Sequence, residues 1–347
     1  MMKILSKVKA SIKQAIKAPF KKLFAPISKK LSPMTETLSE KFRNFQLWYE
    51  DTKLYKILNH PYMFVLPYAL LFFLLILLPT MISGVLSTTY FNTIQAPSFV
   101  GFKNYVNLFT ADSVFLQKAV PNTFKFAIIV GPLGYMLSFA LAWLLAQVTP
   151  KVRTIYTLCI YSPSITGPIM MGIVWKVLFS GDQAGYINYF LMKFTPIKEP
   201  VQFLQDPNLL FPIMIIIALW SSAGIGFLAM LAGLLNIDRT LYEAAYIDGI
   251  KNRWQEIFYI TIPAMKPQML FGAVMAIVGA FNISGVAAAL SGGTPPPQYT
   301  GWMIMDHASD FGFIRYEMGY ASAVTVMLFA VVIFFNRISY KLFGDHD

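Results

Sequence analysis

Thr240 to Pro267 reads TLYEAAYIDGIKNRWQEIFYITIPAMKP, a polar island in an otherwise apolar chain. Thr240 and Glu243 have the spacing of a capping box, in which the Thr hydroxyl takes the N–H of Glu243 and the carboxylate reaches back to the cap. A helix is therefore expected over Leu241 to Asp248. Leu241, Tyr242, Ala244, Ala245 and Ile247 give it an apolar, small-residue surface, and Gly249 stands where a left-handed residue ends such a helix. Asn252, with Gln255 three residues on, is expected to cap a second short helix through Trp254, Ile257 and Phe258, stopped by Pro263 and Pro267. Two capped helices around a glycine turn, with adjacent alanines that permit close approach, read as a docking device.

The surroundings of that stretch fix the fold class. The 347 residues are 56% hydrophobic, 16% aromatic and only 13% charged, with a mean hydropathy of +0.56. Such a chain is expected to be an all-α integral membrane protein. Six apolar runs reach the roughly 20 residues needed to cross a bilayer. They lie near Tyr62 to Ser83, Asn122 to Gln147, Thr154 to Phe179, Leu209 to Leu235, Gln268 to Leu290 and Met318 to Tyr340. The chain thus divides into a basic segment, residues 1–60, and a six-helix membrane domain, residues 61–347, carrying the docking loop 240–267.

Charge chooses the orientation. Of 28 Lys and Arg, 13 precede Pro61, and the termini, the Thr149 to Arg153 turn and the Asn236 to Pro267 loop together hold 21. The other three loops hold five: Lys103, Lys118, Lys193, Lys198 and Arg315. By the positive-inside rule both termini and the docking loop are expected on the cytoplasmic side. The net charge of +11 is then membrane-orientation charge, and no nucleic acid is expected. Within Met1 to Leu31, Val8, Ile12, Ile16, Phe20, Leu23 and Ile27 form one stripe and lysines cover the other face, as in segments that lie on anionic lipid. A loosely ordered basic arm fits the same residues. No cleavable signal is expected, since the charged region before the first apolar run is too long.

Small residues at Gly224, Gly226, Ala229, Gly233, Ala276 and Ala280 are expected to let later spans pack closely. Pro295, Pro296 and Pro297 predict a stiff extended stretch. The single cysteine, Cys159, reads as a buried thiol and excludes a disulfide framework or a cysteine metal site. No phosphate loop, H-E-x-x-H or G-x-S-x-G occurs, so neither a catalytic site nor a metal site is expected. The spans carry no Asp or Glu away from their ends, which disfavours ion-coupled carriers. Asp306 and His307 read as a solvated loop pair. Sugar-type solutes call for aromatic platforms beside hydroxyls or amides. Trp220, Ser221 and Ser222 with Asn282 and Ser284 form the best such cluster, and Tyr161 and Trp175 are further candidates; packing is the competing role for each.

Glu243 to Gly249, EAAYIDG, followed by Ile260, Thr261, Ile262 and Pro263, resembles the EAA signature of permease subunits in binding-protein-dependent ABC importers. The likeness is greatest to the carbohydrate-importing branch related to the maltose and glycerol-phosphate permeases. Phe99, Val100, Gly101, Phe102, Asn104 and Tyr105, then Asn122, Thr123, Pro163, Trp175, Phe179, Gly185 and Asn188, extend it over about residues 60 to 342. Two departures stand out. Ten residues, where the pattern has nine, separate Gly249 from Ile260, which lengthens the turn near Lys251 to Arg253, and Ile262 replaces a common leucine.

The resemblance implies the ABC importer type I permease fold and a non-enzymatic subunit of a bacterial cytoplasmic membrane. It implies that Glu243, Ala244, Ala245, Asp248 and Gly249 form a coupling helix docked on an ATPase. Two ATPase subunits would bind ATP and Mg, with no cofactor on this chain. A second homologous permease subunit would complete the path, and an extracytoplasmic binding protein would deliver a sugar or oligosaccharide. The competing readings are a nucleotide-independent channel or secondary carrier, using the loop only as a gate, and a non-transporting scaffold.

Overall fold

The computed structural model describes residues 61–344, which fall into two compact units dividing between Pro79 and Thr80. The basic segment, including the expected stripe within Met1 to Leu31, lies outside the described residues. In the first unit α1 (Pro61–Phe72) passes through a π turn (Phe73–Leu77) into α2 (Leu78–Leu86), which runs on into the second unit.

The second unit continues with a two-residue β1 (Thr89–Tyr90) paired antiparallel to β2 (Ser98–Phe99), then α3 (Lys103–Thr110). After a π turn (Phe115–Ala119) come α4 (Val120–Ala146), α5 (Pro150–Ile165), α6 (Gly167–Leu178), α7 (Tyr186–Phe194), α8 (Pro207–Trp220) and α9 (Ile225–Asn236). The polar loop holds α10 (Arg239–Ile247), α11 (Arg253–Glu256), a π turn (Ile257–Thr261) and α12 (Ile262–Ala264). The chain ends with α13 (Lys266–Phe281), α14 (Val286–Ser291), a 3₁₀ turn (Pro297–Tyr299), α15 (Ile304–Ser309), a further π turn (Asp310–Ile314) and α16 (Met318–Phe343).

The helix α4 is the centre of this unit. Its Ala127 joins a core with Phe281, Ile304 and Val324; Phe126 and Val130 join a second with Leu210, Met214 and Leu290; Ala142 and Leu145 join a third with Phe227, Met230 and Met269. Apolar contact in lipid gives helices little reason to associate, so close backbone approach has to supply much of the packing. It does so between α9 and α13, where a Cβ on Gly226 would sit 3.2 Å from the Cα of Gly272. The turn after α4 is closed by Arg153, whose guanidinium donates to the carbonyls of Leu145 at 3.1 Å, Ala146 at 3.4 Å and Val148 at 2.7 Å. These carbonyls lie at and just beyond the C-terminal end of α4, where the helical ladder runs out of donors.

Among the described residues, four helical stretches are long and apolar enough to cross a membrane: Val65–Leu86, Phe115–Ala146, Pro207–Asn236 and Met318–Phe343. A fifth arises if Arg253–Ala264 and Lys266–Phe281, bent by 85°, count as one. The expected third run is split at Thr166 into α5 and α6, and the fifth at Asn282 to Gly285 into α13 and α14. Two smaller expectations are corrected. Cys159 is exposed on the surface of the chain. The proline run is not a uniform extended stretch, because Pro297 opens a 3₁₀ turn in which Gln298 has a φ of 51°.

Several residues that carried the family resemblance hold turns together. Asn104 donates to the carbonyls of Ser87 and Thr89, both at 2.9 Å, and Asn188 to those of Ser180, Asp182 and Val201. Asn122 donates to the Tyr299 and Trp302 carbonyls, while the Thr123 hydroxyl accepts the Ile304 N–H at 2.9 Å. The amide and hydroxyl are needed because these loops make few ladder bonds of their own.

Candidate functional site: a capped loop, a cavity and a buried acid cluster

The loop helix α10 is capped two residues before the expected position. Asp238 is the N-cap, accepting the Thr240 N–H at 3.0 Å, and that bond holds its carboxyl below the ordinary carboxylate range. The Thr240–Glu243 capping box is therefore replaced: the earlier Asp takes the first free amide, and Thr240 becomes part of the first turn. The other end follows expectation. Gly249 has a φ of +98°, its N–H reaches the Tyr246 carbonyl at 3.3 Å, and the Ile250 N–H reaches the Ala245 carbonyl at 3.0 Å. These are the paired bonds of a Schellman closure.

Asn252 caps α11 as its sequence predicts, accepting the Gln255 N–H at 2.8 Å, while the Gln255 side chain accepts the Lys251 N–H at 3.0 Å. Pro263 does not stop this helix, which continues to Ala264 and breaks at Met265. The π turn over Ile257–Thr261 precedes the proline, and its wider ring relieves the demand for the bond that Pro263 cannot donate. The two halves of the loop are locked together. Arg253 lies 3.0 Å from both carboxylate oxygens of the buried Glu256, Tyr246 donates to that carboxylate at 3.3 Å, and the Tyr242 hydroxyl meets that of Thr261 at 3.0 Å.

Among the described residues the outer face of the loop has no partner. Glu243, Ala244, Asp248 and Gly249 are exposed and Ala245 is half-buried, and beside them Ile247 is 87% and Trp254 71% exposed. A rigid, closed helix with a bare apolar edge is suited to a protein partner.

In the second unit α4, α8, α9 and α13 enclose a cavity of about 620 Å³. It forms at the break between α8 and α9 and at the break after α13. Four of the expected path residues line it: Ser221, Ser222, Asn282 and Ser284. The cavity lining does not include Trp220, Tyr161 or Trp175. Trp220 and Trp175 instead pack edge to face at 5.4 Å, and Tyr161 packs against the core around Phe227 and Met230. Tyr135 and Ser138 on α4 line the cavity but escaped the sequence reading. Their neighbours in sequence are apolar, and only the position of α4 brings them in. Irregular backbone within an apolar bundle is tolerated where it borders such a cavity, and both breaks satisfy that rule.

Asp306 and His307 are not a solvated pair. Both are buried, His307 at 2% exposure. One Asp306 oxygen accepts the Ser284 hydroxyl at 2.8 Å and the Gly285 N–H at 2.5 Å, and the other accepts the Met303 N–H at 2.9 Å. Burial pushes the Asp306 carboxyl up, against the lowering effect of those bonds. His307 Nε2 lies 2.8 Å from Asp112, which also accepts the Tyr320 hydroxyl at 2.7 Å and the Phe115 N–H at 2.8 Å. Burial alone would raise the Asp112 carboxyl, but the Phe115 and Tyr320 donors and His307 hold it down. Burial lowers the His307 imidazole more than the neighbouring carboxylate raises it. The Trp302 Nε1–H faces His307 Nδ1 at 3.5 Å, which leaves the Nε2 side of the ring toward the Asp112 carboxylate. Among the described residues no group of three or more His, Cys, Asp or Glu could hold a metal ion.

Comparisons with known proteins agree with this architecture. The chain is 30% identical over 281 residues to the probable ABC transporter permease protein YesP of Bacillus subtilis (strain 168), covering 81% of this chain and 89% of that protein. It is 29% identical to the arabinooligosaccharides transport system permease protein AraP of the same organism, covering 82% and 88%, and 31% identical to the lactose transport system permease protein LacF of Rhizobium radiobacter, covering 68% and 77%. Among solved structures, a bacterial alginate ABC transporter in complex with alginate pentasaccharide-bound periplasmic protein aligns with a TM-score of 0.68 and 22% identity. That alignment covers 86% of this chain and 99% of the other, and it shows the fold. Residues 63–344 match the family described as binding-protein-dependent transport system inner membrane component, and with the permease relatives this shows that the chain belongs to that family of ABC importer permeases.

Proposed function

We propose that this permease forms half of the translocation path for a sugar or oligosaccharide and is driven by a separate ATPase docked on α10. Glu243, Ala244, Ala245, Asp248 and Gly249 are the coupling residues, and Ser221, Ser222, Asn282 and Ser284 face the solute. The relatives' names support the solute class, and the rigid, exposed α10 is the observation that carries the coupling. In this reading the chain makes six spans, the broken pairs α5–α6 and α13–α14 each counting as one, with both termini and the 240–267 loop in the cytoplasm. A second homologous permease completes the path, two ATPase subunits bind ATP and Mg, and a binding protein delivers solute from outside. ATP-driven closure of the ATPases moves the α10 helices together and switches the cavity between its two openings, each state populated by the contacts it makes with nucleotide and binding protein.

The test is purification of the complex through a tag on this chain, followed by ATP hydrolysis with and without binding protein. Co-purifying ATPase activity that disappears in Glu243→Arg or Gly249→Val variants supports the reading. A chain that transports without an ATPase, or that is indifferent to both variants, is a channel or secondary carrier instead.

A further inference from the structure

The Asp306 carboxylate joins two places that are far apart in function. One of its oxygens holds Ser284 and the Gly285 N–H, at the break between α13 and α14; the other holds the Met303 N–H, at the start of α15. Asn282, Ile283 and Ser284 of that break line the cavity. The helix α15 is in turn fixed to the rest of its end of the unit. His307, the next residue, is tied to Asp112 before α4 and through it to Tyr320 of α16, while the Ile304 N–H is held by Thr123 of α4. The left-handed Gly285, with a φ of 74°, leaves its N–H pointing away from the helical ladder, so Asp306 is the acceptor that satisfies it. Beside the Asn282 N–H bond to Val278 within α13 and the Gly285 carbonyl bond into α14, the break is therefore tied to α15 by a carboxylate carried by that different element. A buried amide without an acceptor is costly, so removing that carboxylate frees the break to move independently of α15.

We infer that Asp306 is a positioning residue of the transport cycle: it makes the cavity-lining turn at residues 282–285 move as one body with α15 and the loop that carries it. This rests on the proposed function, in which the loop between α14 and α16 faces the side where binding protein delivers solute. Displacement of α15 by a docked binding protein is then passed to the cavity wall through one side chain. Ser284, which lines the cavity, donates its hydroxyl to Asp306 and moves with it.

The experiment uses the complete complex, purified through this chain and placed in lipid, and reads the ratio of ATP hydrolysis with binding protein and solute to hydrolysis without them. Wild type is compared with Asp306→Ala, which removes both acceptors, and Asp306→Asn, which keeps one oxygen for Ser284 and Gly285. The expected result is a ratio that falls about tenfold, the loss of roughly 1.4 kcal/mol of coupling, in Asp306→Ala and is largely restored in Asp306→Asn. A ratio unchanged in an assembled Asp306→Ala complex overturns the inference, as does an equal loss in both variants. If Asp306→Ala does not assemble, Asp306→Asn is compared with a further variant, Asp306→Leu, and an equal ratio in the two overturns it. Wild type lacking ATPase activity altogether refutes the proposed function instead.

Discussion

His307 Nε2 and Asp112 Oδ2 lie 2.8 Å apart across 195 residues of chain, and this contact ties α15 to the segment that precedes α4. The pair stores a pH dependence whose sign is set by the imidazole. Folding lowers the His307 pKa from its ordinary 6.5, with burial the largest cause and with Asp112, Arg315 and Asp310 as the charged groups around it. The stability it contributes is therefore complete above about pH 6.5 and is lost as pH falls toward the folded value, because the unfolded chain takes the proton first. The neighbouring Asp306, whose carboxyl is raised, works in the opposite direction as pH falls into the carboxylate range. Thermal unfolding of the purified protein should show a falling midpoint between about pH 7.5 and about pH 5.5, and His307→Gln should flatten that slope. A slope unchanged by the substitution would remove His307 from the account.

Gly249 closes α10 with a φ of +98° in a position where a Cβ meets no atom within 4 Å. Space is not the constraint there; backbone conformation is. Gly249→Val should strain the turn by about 1–3 kcal/mol and tilt α10 relative to α11. Solute uptake is expected to fall by about tenfold or more, with the amount of protein in the membrane held near wild type. Full uptake would show that the closure of α10 is not needed for coupling.

Close approach makes the opposite case at Gly226. Its Cβ would meet the Cα of Gly272 at 3.2 Å, whereas one on Gly279 meets nothing within 4 Å. Gly226→Ala should destabilise the α9–α13 contact by about 1–3 kcal/mol, and Gly279→Ala should leave the unfolding midpoint nearly unchanged. Equal effects of the two would contradict the packing described for α9 and α13.

Asn282 lines the cavity and donates its side-chain amide to the Val278 carbonyl at 2.9 Å. Asn282→Leu should raise the KM for uptake of an oligosaccharide by about tenfold, the loss of one solute hydrogen bond, with a smaller change in kcat. An unchanged KM would remove Asn282 from the solute path.

The apolar runs, the loop and most of its caps were legible because each depends on residues within a few positions of one another. Gly249 and Asn252 are of this kind. The Asp238 cap was overlooked because the Thr240–Glu243 pair offered a complete local alternative two residues later. The breaks at Ser221 to Gly224 and Asn282 to Gly285 were hidden inside continuous hydrophobic runs, where composition alone cannot tell one helix from two. The hydroxyls and amides chosen there nevertheless lie at the cavity, since a broken helix is where such groups are tolerated. Asp306 and His307 were misjudged for a different reason. Their partners are Ser284, Gly285 and Asp112, which only the packing of α13, α15 and the segment before α4 brings within reach.

The central claim is that this permease moves its solute by coupling to ATP hydrolysis on another subunit. The most direct measurement is uptake of a labelled oligosaccharide into proteoliposomes holding the complex purified through this chain, with binding protein outside and ATP inside. Uptake that requires hydrolysable ATP, and that stops with a non-hydrolysable analogue, is the predicted result. Uptake that proceeds without ATP would contradict it.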